Sequence, residues 1–138
     1  MANAVKWTTG NTRELINDGS LNVDAAKTVQ LDNATNKDRY ADFQLTVNHG
    51  SAPTAGRVYT LWVNPRVLGA ATAANELLGT PVGTFPIVAS DALQTTATIK
   101  GVMLSPANLD ITLRNDTDQN ATAESVQLSA LTYNEEIQ

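Results

Sequence analysis

The chain has 138 residues, of which 42% are hydrophobic and 17% are charged, and this profile is typical of a single globular domain with a sizeable core. It contains no cysteine, which excludes disulfides, thiolate nucleophiles and cysteine-based zinc or iron–sulfur sites. The formal net charge of −5 argues against nucleic acid as a partner, and no apolar run approaches the ~20 residues that span a bilayer, so we expect a soluble protein with no nucleic-acid or membrane partner.

The first 30 residues lack a long regular pattern. They predict either an extended N-terminal arm or a pair of short edge strands at residues 21–23 and 28–31, and the sequence leaves both interpretations open. The run Asn-Asp-Gly-Ser at residues 17–20 is typical of a turn. Trp7 is interpreted as a core anchor of the arm or, with a slight preference, as a contact for a neighbouring subunit, because its large ring gains from burial in either place.

Residues 40–66 carry the strongest pattern, two alternating runs separated by a loop at residues 48–56 that is rich in Gly, Ser, Pro and Asn. We interpret them as neighbouring strands of one antiparallel sheet, joined as a hairpin by that loop. In the second run, Trp62 points away from the face that Tyr59 and Leu61 share. A partly exposed Trp on an outer sheet face suits a subunit contact or stacking on a sugar. The buried face of the first run is predicted to consist of Ala41, Phe43, Leu45 and Val47.

Two weaker segments follow, and three clear strands complete the chain. Residues 67–79 are rich in alanine and predict a short helix or a long loop, since Gly69 and Gly79 limit any helix to a few turns. Residues 82–89 predict a strand, and Pro86 places it at the edge of a sheet because proline cannot donate to the ladder. The turns between the last strands predict that they are sequential antiparallel neighbours. These strands are expected at residues 95–104, 109–114 and 125–133.

This series of short strands, without an alternation of strands and helices, predicts the fold class. We expect an all-β protein, an antiparallel two-sheet sandwich that is jelly-roll-like, with an extended N-terminal arm and at most one short helix. A second sheet is needed because one face of each sheet must be covered. Residues 31–138 are assigned to the sandwich domain, and residues 1–30 to the arm or the edge strands.

The chain offers little catalytic material, since His49 is its only histidine. His49 could be written into a triad with Asp42 and Ser51, but all three lie in one strand and its loop, without the sharp turn that presents a nucleophile. We therefore predict a solvated histidine and no catalytic residue. Glu135 and Glu136 are interpreted as a solvated tail, because adjacent strand residues point to opposite faces and an acid and base must converge.

The polar loop before the last strand has oxygen ligands at alternate positions, Asp116, Asp118 and Asn120, like the opening of a calcium loop. The glycine that such a loop requires falls on Ala121, and the bidentate glutamate falls on Gln127. An irregular calcium site therefore remains only as an alternative to an Asx-rich hairpin turn whose side chains bond their own backbone. We expect no metal and no cofactor.

Three segments in combination carry a family resemblance. They include a G-S-A-P-T-A-G connection, a strand of the L-W-V type, a V-G-T-F entry and a terminal Y-N-E-E, none of which is catalytic. In this combination the chain resembles small structural proteins encoded in tailed-bacteriophage genomes. The segments read YADFQLTVNHGSAPTAGRVYTLWV, VGTFPIVASDALQTTATIKGVMLSP and LDITLRNDTDQNATAESVQLSALTYNEE.

The resemblance implies a non-enzymatic virion structural protein, most specifically a head decoration or cement protein that binds the outside of the capsid and stabilises the shell. The implied partner is the major capsid protein. A homotrimer is expected because icosahedral lattices present many local three-fold positions. The implied location is the phage head, after assembly in the bacterial host cytoplasm.

The alternative is a tail, neck or fibre component, including a carbohydrate-binding β-sandwich for host attachment. Such a module should carry two or more aromatic side chains on one concave face. We expect only Trp62 and Tyr133 to be exposed, which counts against a sugar-binding module. The candidate interface residues are Trp7, Trp62 and Tyr133.

Overall fold

The computed structural model describes residues 5–8, 10–49, 51–54, 56–65, 80–87 and 94–137. These residues form β-strands and no helix, which confirms the all-β prediction, and none of them belongs to a helix that could cross a membrane. The short helix considered at residues 67–79 lies outside the described residues. The strands are β1 (Val5–Trp7), β2 (Asn11–Leu21), β3 (Ala26–Asp32), β4 (Tyr40–Asn48), β5 (Val58–Pro65), β6 (Gly83–Pro86), β7 (Gln94–Met103), β8 (Asn108–Asn115), β9 (Ala121–Tyr133) and β10 (Glu135–Ile137).

Two four-stranded antiparallel sheets form the sandwich. One has the strand order β2-β9-β4-β7 and is called here the 2-9-4-7 sheet; the other has the order β3-β8-β5-β6 and is the 3-8-5-6 sheet. The pairs β1–β10, β2–β9, β3–β8, β4–β7 and β5–β6 are those of one long hairpin that has been rolled up. This is the strand order of a jelly roll, and the predicted jelly-roll-like sandwich is confirmed.

The core lies between the two sheets, where the alternating patterns place their apolar side chains. In β4 the residues alternate between buried and more exposed positions, as predicted. Burial of each large apolar side chain contributes about 1.5–3 kcal/mol. The largest fully buried apolar side chains include Phe43, Leu45, Leu61, Phe85, Ile111, Leu113 and Leu128.

The predicted hairpin at residues 40–66 is wrong. Strand β4 lies in the 2-9-4-7 sheet and pairs with β7 and β9, whereas β5 lies in the other sheet and pairs with β6 and β8. The connection between them therefore crosses from one sheet to the other. The prediction that the last three strands are sequential neighbours is wrong for the same reason, since β8 pairs with β3 and β5, and β9 pairs with β2 and β4. Alternation specifies which face of a strand is buried, but not its partner strand.

Residues 11–32 supply an edge strand to each sheet, so the edge-strand interpretation describes this segment, with longer strands than expected. The predicted turn at residues 17–20 is instead an irregular part of β2, with register shifts on both sides of Gly19. A Cβ atom at Gly19 would lie 2.9 Å from Cγ2 of Ile16, so a larger residue would require a shift. Strand β6, which ends at Pro86, is an edge strand, as predicted.

Candidate functional site

Three aromatic side chains meet at one corner of the 2-9-4-7 sheet. The rings of Tyr40 and Tyr133 are stacked, with centroids 5.8 Å apart and an angle of 23°. Trp7 stands at 88° to both, with centroid distances of 5.5 Å to Tyr40 and 5.4 Å to Tyr133. These stacked and edge-to-face geometries contribute about 0.5–1.5 kcal/mol per pair beyond area burial. We call these residues the aromatic corner; they fix the orientation of Trp7 while 60% of its surface stays exposed.

The rolled hairpin brings these residues together from both ends of the sequence. Tyr40 opens β4 and lies opposite Tyr133 at the end of β9, and both alternate with buried neighbours. Trp7 lies on β1, which pairs with β10 directly after β9. Thr8 secures this junction, because its amide donates to the Asn134 carbonyl at 2.8 Å and its Oγ1 accepts from the Asn134 amide at 2.8 Å.

Beside the aromatic corner, the outer surface of the 2-9-4-7 sheet is depressed. Two adjoining hollows of about 380 and 460 Å³ share Asp42 and Leu131, and we call them together the outer-face cleft. Both volumes fall in the ~300–1,000 Å³ range of small-ligand sites. The smaller hollow is also lined by Trp7, Thr8, Gly10 and Tyr133, and the larger by Thr12, Phe43, Gln44, Thr98, Lys100, Ser129 and Ala130.

Asp42 links the aromatic corner to the cleft. Its Oδ1 accepts hydrogen bonds from the Tyr133 hydroxyl at 2.9 Å and from the Gly101 amide at 2.8 Å. Gly101 has a φ of +69°, a left-handed conformation that suits glycine, and it sits where the register between β4 and β7 shifts. Burial, and then the hydrogen bond to Asp42 and its negative charge, raise the pKa of Tyr133 above its ordinary value, so its hydroxyl stays a donor at neutral pH.

The structure separates the three predicted interface residues. Trp7 and Tyr133 lie together in the aromatic corner, whereas Trp62 lies on the other sheet. Trp62 faces away from Tyr59 and Leu61, as the alternation predicts, but only 5% of its surface is exposed, so its predicted exposure is wrong. The Arg114 guanidinium covers its ring, 4.9 Å from the ring centroid.

Sequence reasoning missed Tyr40 and Asp42 as site residues. A signal for them exists, because Tyr40, Asp42 and Gln44 are spaced two apart on β4 and share its outer face. That spacing becomes informative only when β4 is known to lie beside β9, which brings Tyr133 and Leu131 next to them. The expectation that only Trp62 and Tyr133 are exposed aromatics is therefore wrong.

His49 is not solvated, contrary to the prediction. Only 1% of its surface is exposed, and its Nε2 is joined to the Tyr59 hydroxyl by a hydrogen bond of 2.8 Å. Burial raises the pKa of Tyr59 far above its ordinary value. The described hydrogen bonds of the Asp42 carboxylate go to Tyr133 and Gly101, and the His49 Nε2 bonds Tyr59, so these side chains serve other partners than those of the triad considered from the sequence.

The loop between β8 and β9 directs its three oxygen-bearing side chains to separate partners rather than to one point. Among the described residues, no group of three acidic, histidine or cysteine side chains could hold a metal ion. Thr54 donates two hydrogen bonds to the Asp118 carboxylate, and these bonds, first the one from the hydroxyl and then the one from the amide, lower the pKa of Asp118 below its ordinary value. Asp116 accepts from Thr60 and Arg114, Asp118 accepts from Thr54, and Asn120 accepts from the amide of Val23.

The same loop does contain the predicted Asx turn. Asn115 Oδ1 accepts from the amide of Thr117 at 2.9 Å and from its hydroxyl at 2.7 Å. It is not a hairpin turn, because it connects the two sheets. Glu135 and Glu136 belong to β10 rather than to a free tail, and the Glu135 carboxylate pairs with Arg39 at 2.8 Å at the surface.

No protein-family model matches the chain, and no curated protein matches it. The resemblance to phage structural proteins therefore stays a prediction from the sequence. Jelly rolls occur in viral capsid proteins and in lectins, so the fold is compatible with both functions considered from the sequence. A fold does not by itself imply a function, and the site has to be interpreted from its own chemistry.

Proposed function

We propose that this chain is a non-enzymatic structural protein of a tailed-bacteriophage virion, most specifically a head decoration protein. It would bind the outer surface of the capsid, with the major capsid protein as its partner, and stabilise the shell. The sequence resemblance supports the family, and the jelly-roll sandwich is an architecture that viral capsid proteins use.

The observation that carries the non-enzymatic part of the proposal is the structural use of the chain's reactive side chains. His49 is buried against Tyr59, and Asp116 and Asp118 fasten loops to neighbouring strands. Asp42 orients Tyr133 at the surface. Within the described part of the chain, these groups do not converge as the acid, base and nucleophile of an enzyme must.

The proposed mechanism is stabilisation by linkage. A protein that binds the assembled shell, and not the ruptured one, shifts the equilibrium towards the assembled shell. Many copies on one lattice add their small individual contributions, and a trimer would match the local three-fold positions of an icosahedral shell.

The test compares capsids that lack this protein with capsids to which the full chain has been added back. We expect the deficient capsids to rupture at a lower temperature and under milder osmotic shock, and the added protein to restore both. Equal stability of the two preparations would contradict the decoration role. Images of intact particles then locate the protein, and density only at the tail or neck would favour the alternative component.

A further inference from the structure

We propose that the aromatic corner and the outer-face cleft together bind a neutral oligosaccharide. This inference goes beyond the decoration role, because it concerns a ligand rather than the capsid and holds for a head or a tail location alike. It rests on three independent features of the described residues: an oriented exposed tryptophan, a row of unbonded polar side chains and a length that suits several sugar rings.

The first feature is the exposed Trp7. Sugar rings carry apolar C–H faces that pack on aromatic rings, and a large rigid ring provides this contact with little loss of conformational freedom. Trp7 is held at 88° by Tyr40 and Tyr133 and keeps 60% of its surface in solvent. It also lines the cleft together with Tyr133. The platform is therefore oriented before any ligand arrives.

The second feature is the polar half of the cleft. Gln44 lies opposite Ser129 on one side and Thr98 on the other, so the three form a row across neighbouring strands. Thr12 lies across from Leu131 on the next strand and lines the same hollow. Within the described part of the chain, the side chains of these four polar residues make no hydrogen bond to other residues. They are free to bond the hydroxyl groups of a sugar, which both donate and accept.

Asp42 lies between the two halves and joins them. Both of its described hydrogen bonds go to Oδ1, from Tyr133 and from Gly101, and they fix the carboxylate at the border of the two hollows. A fixed carboxylate accepts strongly from sugar hydroxyls. Asp42 and the net charge of −5 disfavour an acidic saccharide, although Lys100 also lines the cleft. The ligand class is therefore neutral.

The third feature is length. From Tyr133 to Ser129 along β9 the outer face extends about 13 Å, given the ~3.3 Å rise per residue of a strand. That length suits a short oligosaccharide better than a single sugar. Gly10 helps to shape the site, because a Cβ atom there would lie 2.5 Å from Cδ1 of Leu131, a residue shared by both hollows.

A protein partner is the competing occupant of this surface. Exposed Trp7, Leu131 and Met103 would suit it, and Met103 lies opposite Tyr40. The observations favour a sugar because the apolar part adjoins a row of unbonded amide and hydroxyl groups inside a cleft. The buried centre of a protein interface would have to satisfy those groups one by one.

The experiment titrates the full chain with cellohexaose, maltohexaose and hexa-N-acetylchitohexaose, followed by calorimetry and tryptophan fluorescence. The chain has two tryptophans, and only Trp7 is exposed, so acrylamide should quench Trp7 and spare the buried Trp62. We expect saturable binding of at least one hexasaccharide, together with protection of Trp7 from acrylamide. The absence of binding for all three at millimolar concentration would overturn the proposal.

Variants then locate the site. Trp7→Ala and Asp42→Asn should each weaken the measured affinity about tenfold or more, while Met103→Ala, an exposed apolar residue outside the cleft lining, should leave it unchanged. Unfolding midpoints of all three variants show whether a loss reflects misfolding. Binding that survives both cleft substitutions would overturn the site. A second result would also overturn it: the wild-type protein binds none of the sugars, and Trp7→Ala abolishes association with the capsid. The aromatic corner would then be a contact with a protein.

Discussion

The aromatic corner and strand β5 use aromatic side chains in opposite ways. In the corner, Trp7 is 60% exposed and is held by ring contacts with two tyrosines; on β5, Trp62 is 5% exposed and is covered by Arg114. Tyr59 on β5 is fully buried against His49, whereas Tyr133 bonds Asp42 at the rim of a cleft. Position in the sheet accounts for the difference between the tryptophans, because β5 is a central strand and β1 belongs to a peripheral pair. The two tyrosines both lie on central strands and differ in the face they occupy, since Tyr59 faces the core and Tyr133 faces the cleft.

The alternating pattern of a strand does not determine whether an aromatic side chain on it is buried or available to a ligand. Where neighbouring elements cover the ring, it contributes to the free energy of unfolding. Where they only orient it, it is available to a ligand. Substitutions on β5 should therefore lower stability, and substitutions in the corner should lower binding.

The largest expected effect is that of Trp62→Ala. It removes a buried ring and leaves Arg114 without its aromatic partner, so the free energy of unfolding should fall by about 3–5 kcal/mol. Trp7→Ala serves as the matched control and should cost less, about 1–3 kcal/mol, because only its two ring contacts and a partly buried surface are lost. Urea denaturation of both variants measures the difference. Equal losses would show that the two tryptophans are not distinct in role.

Tyr59→Phe should have the next largest effect. The ring stays in the core, but the hydroxyl that bonds His49 is lost and the imidazole keeps its buried position. Removing the hydrogen bond of a buried polar atom, here the Nε2 of His49, costs about 1–3 kcal/mol. The same denaturation assay applies, with Tyr133→Phe as the partly exposed counterpart. A larger loss from Tyr133→Phe than from Tyr59→Phe would contradict the assignment.

The burial of Tyr59 should also make the free energy of unfolding depend on pH in the alkaline range. The folded protein holds the pKa of Tyr59 above its ordinary value, so the unfolded chain loses that proton first, near pH ~10. Stability should therefore fall as the pH rises above that value, by up to about 1.4 kcal/mol per pH unit. Unfolding followed from pH ~9 to ~12 in the wild type and Tyr59→Phe measures the difference. A slope that is identical in both would show that Tyr59 is not its source.

The smallest effect is expected from Gly101→Ala. An alanine at a φ of +69° is strained by about 1 kcal/mol, although nothing lies within 4 Å of the added Cβ atom. Relief of that strain would move the amide that donates to Asp42, so hexasaccharide affinity should fall, and the free energy of unfolding should fall by about 1 kcal/mol. Gly56→Ala is a matched control, with a φ of +81° and open space but a position away from the cleft lining. Equal effects of both variants on affinity would show that Gly101 has no specific role in the binding site.

Local pattern was enough to predict the fold class and the buried face of β4. Phe43 and Leu45 alternate with polar residues, and this period of two depends only on adjacent residues. Local pattern could not predict the partner of β4, because β9 lies far along the chain and any strand with one apolar face would satisfy the same periodicity.

The site was predicted less completely than the fold, for a related reason. Trp7 is predicted as an interface residue from the size of its ring and Tyr133 from its expected exposure, and nothing local in the sequence joins them. The burial of Trp62 and His49 depends on cover from other parts of the chain, which periodicity does not report. Asp42 gains its place in the cleft from Gly101 and Tyr133, contributed by two other strands.

In the rolled hairpin, the strand pairs differ in the length of the chain segment that separates their two strands and that forms a loop when they pair. The β5–β6 pair joins successive strands, whereas β1–β10 joins the two ends and contains only three residue pairs. Long closures cost more entropy and short pairs fray first, so β1–β10 should form last during folding and open first in the native protein. Because Trp7 is carried by that pair, occupation of the cleft should slow hydrogen exchange at β1 and β10 more than anywhere else in the sandwich.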